Sequence, residues 1–319
     1  MQKILIKLEQ LSVLNNRLPE ASTAKPLLED IDFVLKEGEW VTVVGPNGSG
    51  KSTLARVLAG FGTKNLTGHL SRGREFSRHA IPMVMQQPDT SVLGATPWED
   101  VLLMLEQHEV EGSAIPEMVE GALRETGLYD RRHQPIQSLS GGQKQLTAIA
   151  GCLALKVPWL VLDEVTSMLD PQASELVMKR VRKAHATGTA VIWITQRLEE
   201  LRDGDRVAAM KEGRLIYDGT TEGFYTRGRT DMVQNGAAGD EGSSGATAEG
   251  KGIVGAEAEG SEGIRVGVSV NGESVCERIG MVAPYIVQTA WALEEQMGLT
   301  LHPLPTTPEA LVKAVEQLR

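Results

Sequence analysis

The chain has 319 residues, enough for a sizeable core and a second module. With 41% hydrophobic and 23% charged residues it falls in the ordinary globular range, which argues against wholesale disorder and against an integral membrane protein. Its 42 acidic and 32 basic residues give a net charge of −10 with no broad basic block, so duplex nucleic acid is excluded as the main ligand, whereas a phosphate site, built from local amides and one or two cations, is not.

The N-terminal segment alternates at Ile4, Ile6 and Leu8, and a second short apolar run surrounds Phe33 before Gly38, which predicts a small sheet layer. The first residues lack a long apolar signal core, and no run reaches the roughly 18 apolar residues of a membrane span, so a membrane role is expected to be peripheral. WVTVV, Trp40 to Val44, enters the loop GPNGSGKST, and the helical pattern of Leu54, Val57 and Leu58 follows: buried strand, glycine-rich loop, helix. MVM before Gln86, WLVL before Asp163 and AVIWI before Thr195 are further short apolar runs. They read as central parallel strands whose C-terminal ends converge on one crevice.

Residues 97–156 are mostly helical in periodicity, with a loop at Arg131 to Gln137, and read as a helical subdomain. The pattern of the core, residues 1–228, stops beyond Arg227. Many of the 34 glycines then fall between about Gly236 and Gly263, in a stretch without aromatics that cannot repay the entropy of ordering. Residues 229–265 are accordingly expected to be a linker, and 266–319 a small helical module. In the module Pro284 opens a helix through Trp291 and Leu293 to Met297, Gly298 closes it, and Thr307 with Pro308 caps a last helix carrying Leu311, Val315 and Leu318. Two short helices cannot make a large core, so they are expected to pack on each other, on the main domain or on a second subunit. Cys152 and Cys276 are too few for a metal cluster and read as free thiols.

The phosphate loop consists of Gly45, Pro46, Asn47, Gly48, Ser49, Gly50, Lys51, Ser52 and Thr53. Glycines permit close backbone approach, successive amides and the helix N-terminus face the phosphates, Lys51 reaches the β- and γ-oxygens, and the Ser52 hydroxyl is a magnesium ligand. After WLVL, Asp163 is expected to hold the magnesium hydration shell and Glu164 to polarise an attacking water. Leu139, Ser140, Gly141, Gly142 and Gln143 open an apolar-periodic helix whose bare N-terminus is either an ordinary cap or a second phosphate-facing amide site.

These motifs in this order, with LSGGQ (Leu139 to Gln143) matching the family's signature and with the loop Ser167 to Asp170, resemble an ABC-type ATPase nucleotide-binding subunit. The resemblance implies an α/β fold: a P-loop NTPase core of ABC type with a small antiparallel β subdomain, a helical signature subdomain and a short C-terminal helical segment. It also implies ATP and Mg2+ as ligands, and a second ABC ATPase subunit facing this one head to tail, as a homodimer or heterodimer. Each ATP is then sandwiched between one chain's phosphate loop and the other's signature. Gln86 matches the glutamine that contacts magnesium and the attacking water and senses the membrane partner, and Asp170 matches the loop that couples the two sites. The stretches QQPDTSVLGATPWEDV (Gln86 to Val101) and GMVAPYIVQTAWALEEQMGLTLHPLPTTPEALVKAV (Gly280 to Val315) are similar to energy-coupling factor ATPases. Those are peripheral motors on the cytoplasmic face of the membrane. They drive a transmembrane coupling subunit and a substrate-binding membrane protein for vitamins, cobalt or nickel, and their C-terminal helices help hold the ATPases together. Nucleic acid is not expected as a partner.

Departures from the family pattern qualify these expectations. Thr195 and Gln196 stand where a histidine follows the strand. Gln196 donates and accepts but carries no charge. Charge-assisted bonds contribute about 1.5–3 kcal/mol against 0.5–1.5 for neutral ones, so a turnover slowed about tenfold is expected at this chain's own site. Leu14 falls where an aromatic stacks on adenine, which predicts weaker base contact unless Leu14 is simply an apolar strand end. Val165 replaces the proline after the acidic pair, and Lys144 follows the signature, without clear catalytic meaning. The alternatives are a catalytically degenerate ATP-binding partner in a heterodimer, or the ATPase of another ABC transporter. A soluble ABC ATPase of repair or translation would show long coiled coils or tandem cassettes.

Overall fold

A computed structural model describes residues 3–14, 25–61, 65–73, 81, 83–87, 92–228 and 272–317. The linker expected at 229–265, the expected start of the C-terminal module near 266, and Leu318 lie outside these residues. Two sheets form the framework. The first is antiparallel, in the order β2 (Leu28–Lys36), β1 (Ile4–Val13), β4 (Leu66–Arg72). The second has the order β5 (Met83–Val84), β6 (Trp159–Asp163), β7 (Ala190–Ile194), β3 (Trp40–Val44), β8 (Arg206–Lys211), β9 (Arg214–Thr220). It is parallel from β5 to β8, and only β9 runs antiparallel. All five positions of β3, β6 and β7 are buried, as strands covered on both faces require.

This register sets the site. Val43 and Asp163 both pair with Ile194, so the three strands end at one level and their following residues emerge together. Helix α1 (Lys51–Ala59) leaves the phosphate loop. Helices α2 (Pro97–Gln107), α3 (Ile115–Thr126) and α4 (Gly141–Ala154) form the helical subdomain around Val101, Leu105, Val119, Leu123 and Ile149. Short 3-10 turns at Tyr129–Arg131 and Ile136–Ser138 occupy the segment expected as a loop. Helix α5 (Pro171–Ala186) starts from Asp170. The strand expected as MVM is only two residues long, and Met85 is exposed beyond it.

Four further helices follow: α6 (Thr221–Tyr225) and, in the C-terminal module, α7 (Val275–Arg278), α8 (Tyr285–Met297) and α9 (Pro308–Gln317), with the β8–β9 hairpin beneath them. The module lies on its own ATPase core. Val275, Cys276, Val287, Ala290 and Trp291 share one apolar cluster with Val44, Val207, Ala209, Phe224 and Tyr225. Burying each large side chain there contributes about 1.5–3 kcal/mol. Polar pins accompany the packing: Trp291 Nε1 donates to Tyr225 O at 3.1 Å and Lys211 Nζ to Arg278 O at 2.7 Å. Cys152 and Cys276 are free and buried, and burial pushes both thiols up to about 12. No helix among the described residues is long and apolar enough to cross a membrane.

Candidate nucleotide site

The phosphate loop turns out of β3 so tightly that a Cβ on Gly45 would lie 2.3 Å from Met210 O. Only glycine fits there. Gly50, in the left-handed region at φ 102°, starts α1, and no side chain caps that helix. The cap residue thus offers its first-turn amides no side-chain acceptor, which suits an anion. Lys51 is buried and folds back on the loop, donating to Gly45 O at 2.8 Å and Pro46 O at 3.1 Å. Burial lowers its pKa, opposed by the nearby Glu164 and Asp163 carboxylates. Ser49 is buried, and Asn47 and Ser52 are exposed at the mouth.

Asp163, the last residue of β6, is 7% exposed. Burial raises its pKa, partly offset by a hydrogen bond from Ser52. Its Oδ1 has no hydrogen-bond partner among the described residues. A buried carboxylate oxygen left free beside a serine hydroxyl is the donor set that a hard divalent cation such as Mg2+ takes, and the site fits that ion on this ground.

Glu164 follows with φ 51°, its amide held by Ile194 O at 2.9 Å. Gln196 Nε2 donates to Glu164 Oε1 at 2.5 Å and to Asn47 Oδ1 at 2.9 Å, while Lys51 Nζ stands 3.8 Å from the same Glu164 oxygen. Strand ends β3, β6 and β7 thus bring Lys51, Asp163, Glu164 and Gln196 into one cluster, with Asn47 tying the loop to the glutamine.

A second cluster is built from helix starts. Ser140 caps α4 in a reciprocal box: its Oγ accepts from Gln143 N at 3.4 Å and its own amide donates to Gln143 Oε1 at 3.0 Å. Asp170 caps α5, accepting from Ala173 N at 2.9 Å. The two helix starts touch, since a Cβ on Gly142 would lie 2.8 Å from Ala173 Cβ. Ser140, Gly141 and Asp170 are exposed.

Gln86 is exposed just beyond β5. Its carbonyl, with that of Met85, accepts from the fully buried Gln145 amide at 3.2 and 3.1 Å. Sequence reasoning missed Gln145, although a glutamine within the apolar stretch of α4 was a visible signal. Leu14 is 49% exposed at the end of β1, next to Val13, which pairs with Leu28. Leu28 in turn approaches the phosphate loop, because a Cβ on Gly50 would lie 2.9 Å from its Cδ2.

Fold and site together define a P-loop ATPase with a second, signature-bearing helix start. The ABC transporter family profile matches residues 28–167. The chain is 38% identical over 205 residues to the energy-coupling factor transporter ATP-binding protein EcfA of Methanosarcina acetivorans, covering 62% of this chain and 75% of that one. It is 42% identical over 212 residues to EcfA1 of Listeria monocytogenes, covering 64% and 76%. Among solved structures, cbiO1 of Clostridium perfringens, described as part of the ABC transporter complex cbiONQ, matches with TM-score 0.57 and 28% identity over 68% of this chain and 89% of that one. A dimeric ATP-binding cassette solved after hydrolysis with ADP and Pi matches in fold, with TM-score 0.58 and 24% identity over 69% of this chain and 100% of the other.

The chain belongs to the ABC transporter ATP-binding subunits, in the energy-coupling factor group. It is an ATP-binding and ATP-hydrolysing motor subunit of an importer of that type and uses ATP with Mg2+.

Proposed function

We propose that this subunit hydrolyses ATP slowly at its own phosphate loop and completes the site of a second ABC ATPase subunit with its signature. The observation that carries this reading is the hydrogen bond of Gln196 to Glu164, beside Lys51. In the proposal the loop amides of Gly45 to Thr53 and Lys51 bind the phosphates, Ser52, Asp163 and Gln86 hold Mg2+, and Leu14 meets the adenine. Mg2+ supplies charge neutralisation at the phosphate oxygens. Glu164 orients and polarises the attacking water, and Gln196 fixes the Glu164 carboxylate through a neutral amide. That amide adds no positive charge where negative charge develops, which supports a slow turnover. Ser140, Gly141, Gly142, Gln143 and Asp170 face the partner's nucleotide in a head-to-tail pair.

The further partners are a transmembrane coupling subunit and a substrate-binding membrane protein, the cargo is a vitamin or a transition metal, and the motor sits on the cytoplasmic face. Residues 1–228 are the ATPase unit, and the module that ends the chain assists pairing of the two ATPases.

A second reading, a degenerate ATP-binding partner of an active ATPase, is favoured by one observation: Lys51 and Gln196 hold Glu164 within the chain's own loop. Turnover of the assembled complex separates the two. Glu164→Gln is expected to cut hydrolysis at this site about 100-fold or more; no change would favour the degenerate reading.

A further inference from the structure

Glu200 is a buried acid that the nucleotide cluster does not use. It ends the 3-10 turn Leu198–Glu200 that follows Gln196, with its side chain 10% exposed. Its carboxylate accepts from Trp193 Nε1 at 2.9 Å and from Thr166 Oγ1 at 2.5 Å. Arg197, one residue past Gln196, donates from Nη1 to Thr166 O at 3.3 Å and to Ser174 Oγ at 3.1 Å, and its Nε stands 3.9 Å from Glu200 Oε1. Ser174 lies in the first turn of α5, and its amide bonds to Asp170 O at 2.9 Å. Thr166 stands two residues past Glu164 and four before Asp170. Its hydroxyl and its carbonyl are therefore both gripped from the segment that carries Gln196.

We propose that Glu200 and Arg197 are positioning residues that fasten the loop from Glu164 to Asp170 onto the Gln196 strand end, so that both ends of this loop move as one piece. This rests on the reading of Glu164 as the hydrolytic carboxylate. One end of the loop serves the chain's own nucleotide and the other the partner's, so the fastening couples the two sites. A plain stability anchor would be served as well by an apolar pair. What two directional bonds to one threonine add is a fixed loop orientation, and a small misplacement of a catalytic group is costly in rate.

The test measures Mg-ATP turnover and nucleotide affinity for the full chain in its assembled complex, with Thr166→Val, Thr166→Ser and Glu200→Gln. Thr166→Val is expected to lower kcat about fivefold while KM and nucleotide Kd stay near their starting values. Thr166→Ser, which keeps the hydroxyl, restores kcat, and Glu200→Gln lowers it as Thr166→Val does. A lower melting temperature with unchanged kcat in Thr166→Val, or an equal kcat loss in Thr166→Ser, overturns the inference. Should the buried variants not fold, Arg197→Ala, at a 39% exposed side chain, must show the same loss of kcat without a change in KM; unchanged kcat there overturns it too. Glu164→Gln run alongside keeps the two assignments apart. Undiminished hydrolysis at this chain's own site in that variant removes the hydrolytic role of Glu164, whereas hydrolysis lost at that site with a silent Thr166→Val removes only the coupling by Glu200 and Arg197.

Discussion

The two clusters of the site are built in opposite ways. Around Glu164 the groups follow three buried strand ends and bond to one another: Lys51 and Gln196 hold the carboxylate, and Asn47 holds Gln196. Around Ser140 and Asp170 the groups are helix caps on exposed turns, and they fix only the shape of the turn. The first arrangement suits chemistry within one subunit. The second suits a surface that becomes complete against another.

The largest effect that would break this contrast is expected at Gly142. A Cβ there would lie 2.8 Å from Ala173 Cβ, so Gly142→Val should separate the starts of α4 and α5. Hydrolysis in the assembled complex should then fall about 100-fold, while nucleotide binding by the isolated chain persists; loss of that binding would show that the two clusters are one. A smaller effect sharpens the glutamine's part. Gln196→His should raise turnover about tenfold where the imidazole is protonated and lose that gain as the pH rises through the ordinary histidine range of about 6.5, a limb that a glutamine cannot give. A pH profile of single-turnover rates reads both changes.

The smallest effect concerns the C-terminal module. The Arg227 guanidinium, seconded by Ser274, holds the Glu277 carboxyl down at about 2 from an ordinary 4.5, although burial works the other way. A depressed carboxyl contributes stability that is complete above 4.5 and is lost as the pH falls toward 2. Arg227 also stacks over Trp291 at 4.0 Å. Arg227→Ala should therefore cost about 1–2 kcal/mol and flatten the loss of stability on acidification, which thermal melts between pH 7 and pH 3 would follow.

Strands β3, β6 and β7 were legible because burial on both faces demands continuous apolar runs, and WVTVV, WLVLD and AVIWI are such runs. Strand β8 was not. RVAAMK is alanine-rich and has little strand propensity, and it is a strand because β3 and β9 pair with it on either side. Strand β4 is largely exposed and polar, and α7 is a single turn, too short to show a period.

The site divides in the same way. The phosphate loop, the acidic pair and the signature are contiguous and carry their chemistry in their spacing. Asn47's bond to Gln196 spans 149 positions and Gln145's to Gln86 spans 59, and no local pattern encodes such pairings. Glu200, inside the run Leu198–Glu200, looks like a solvated acid until the fold puts Trp193 and Thr166 against it.

The proposed joint action of Glu164 and Gln196 in hydrolysis is read out by a double-mutant cycle on single-turnover rates. Glu164→Gln combined with Gln196→Ala is expected to hydrolyse no more slowly than Glu164→Gln alone. Rate losses that multiply would contradict it.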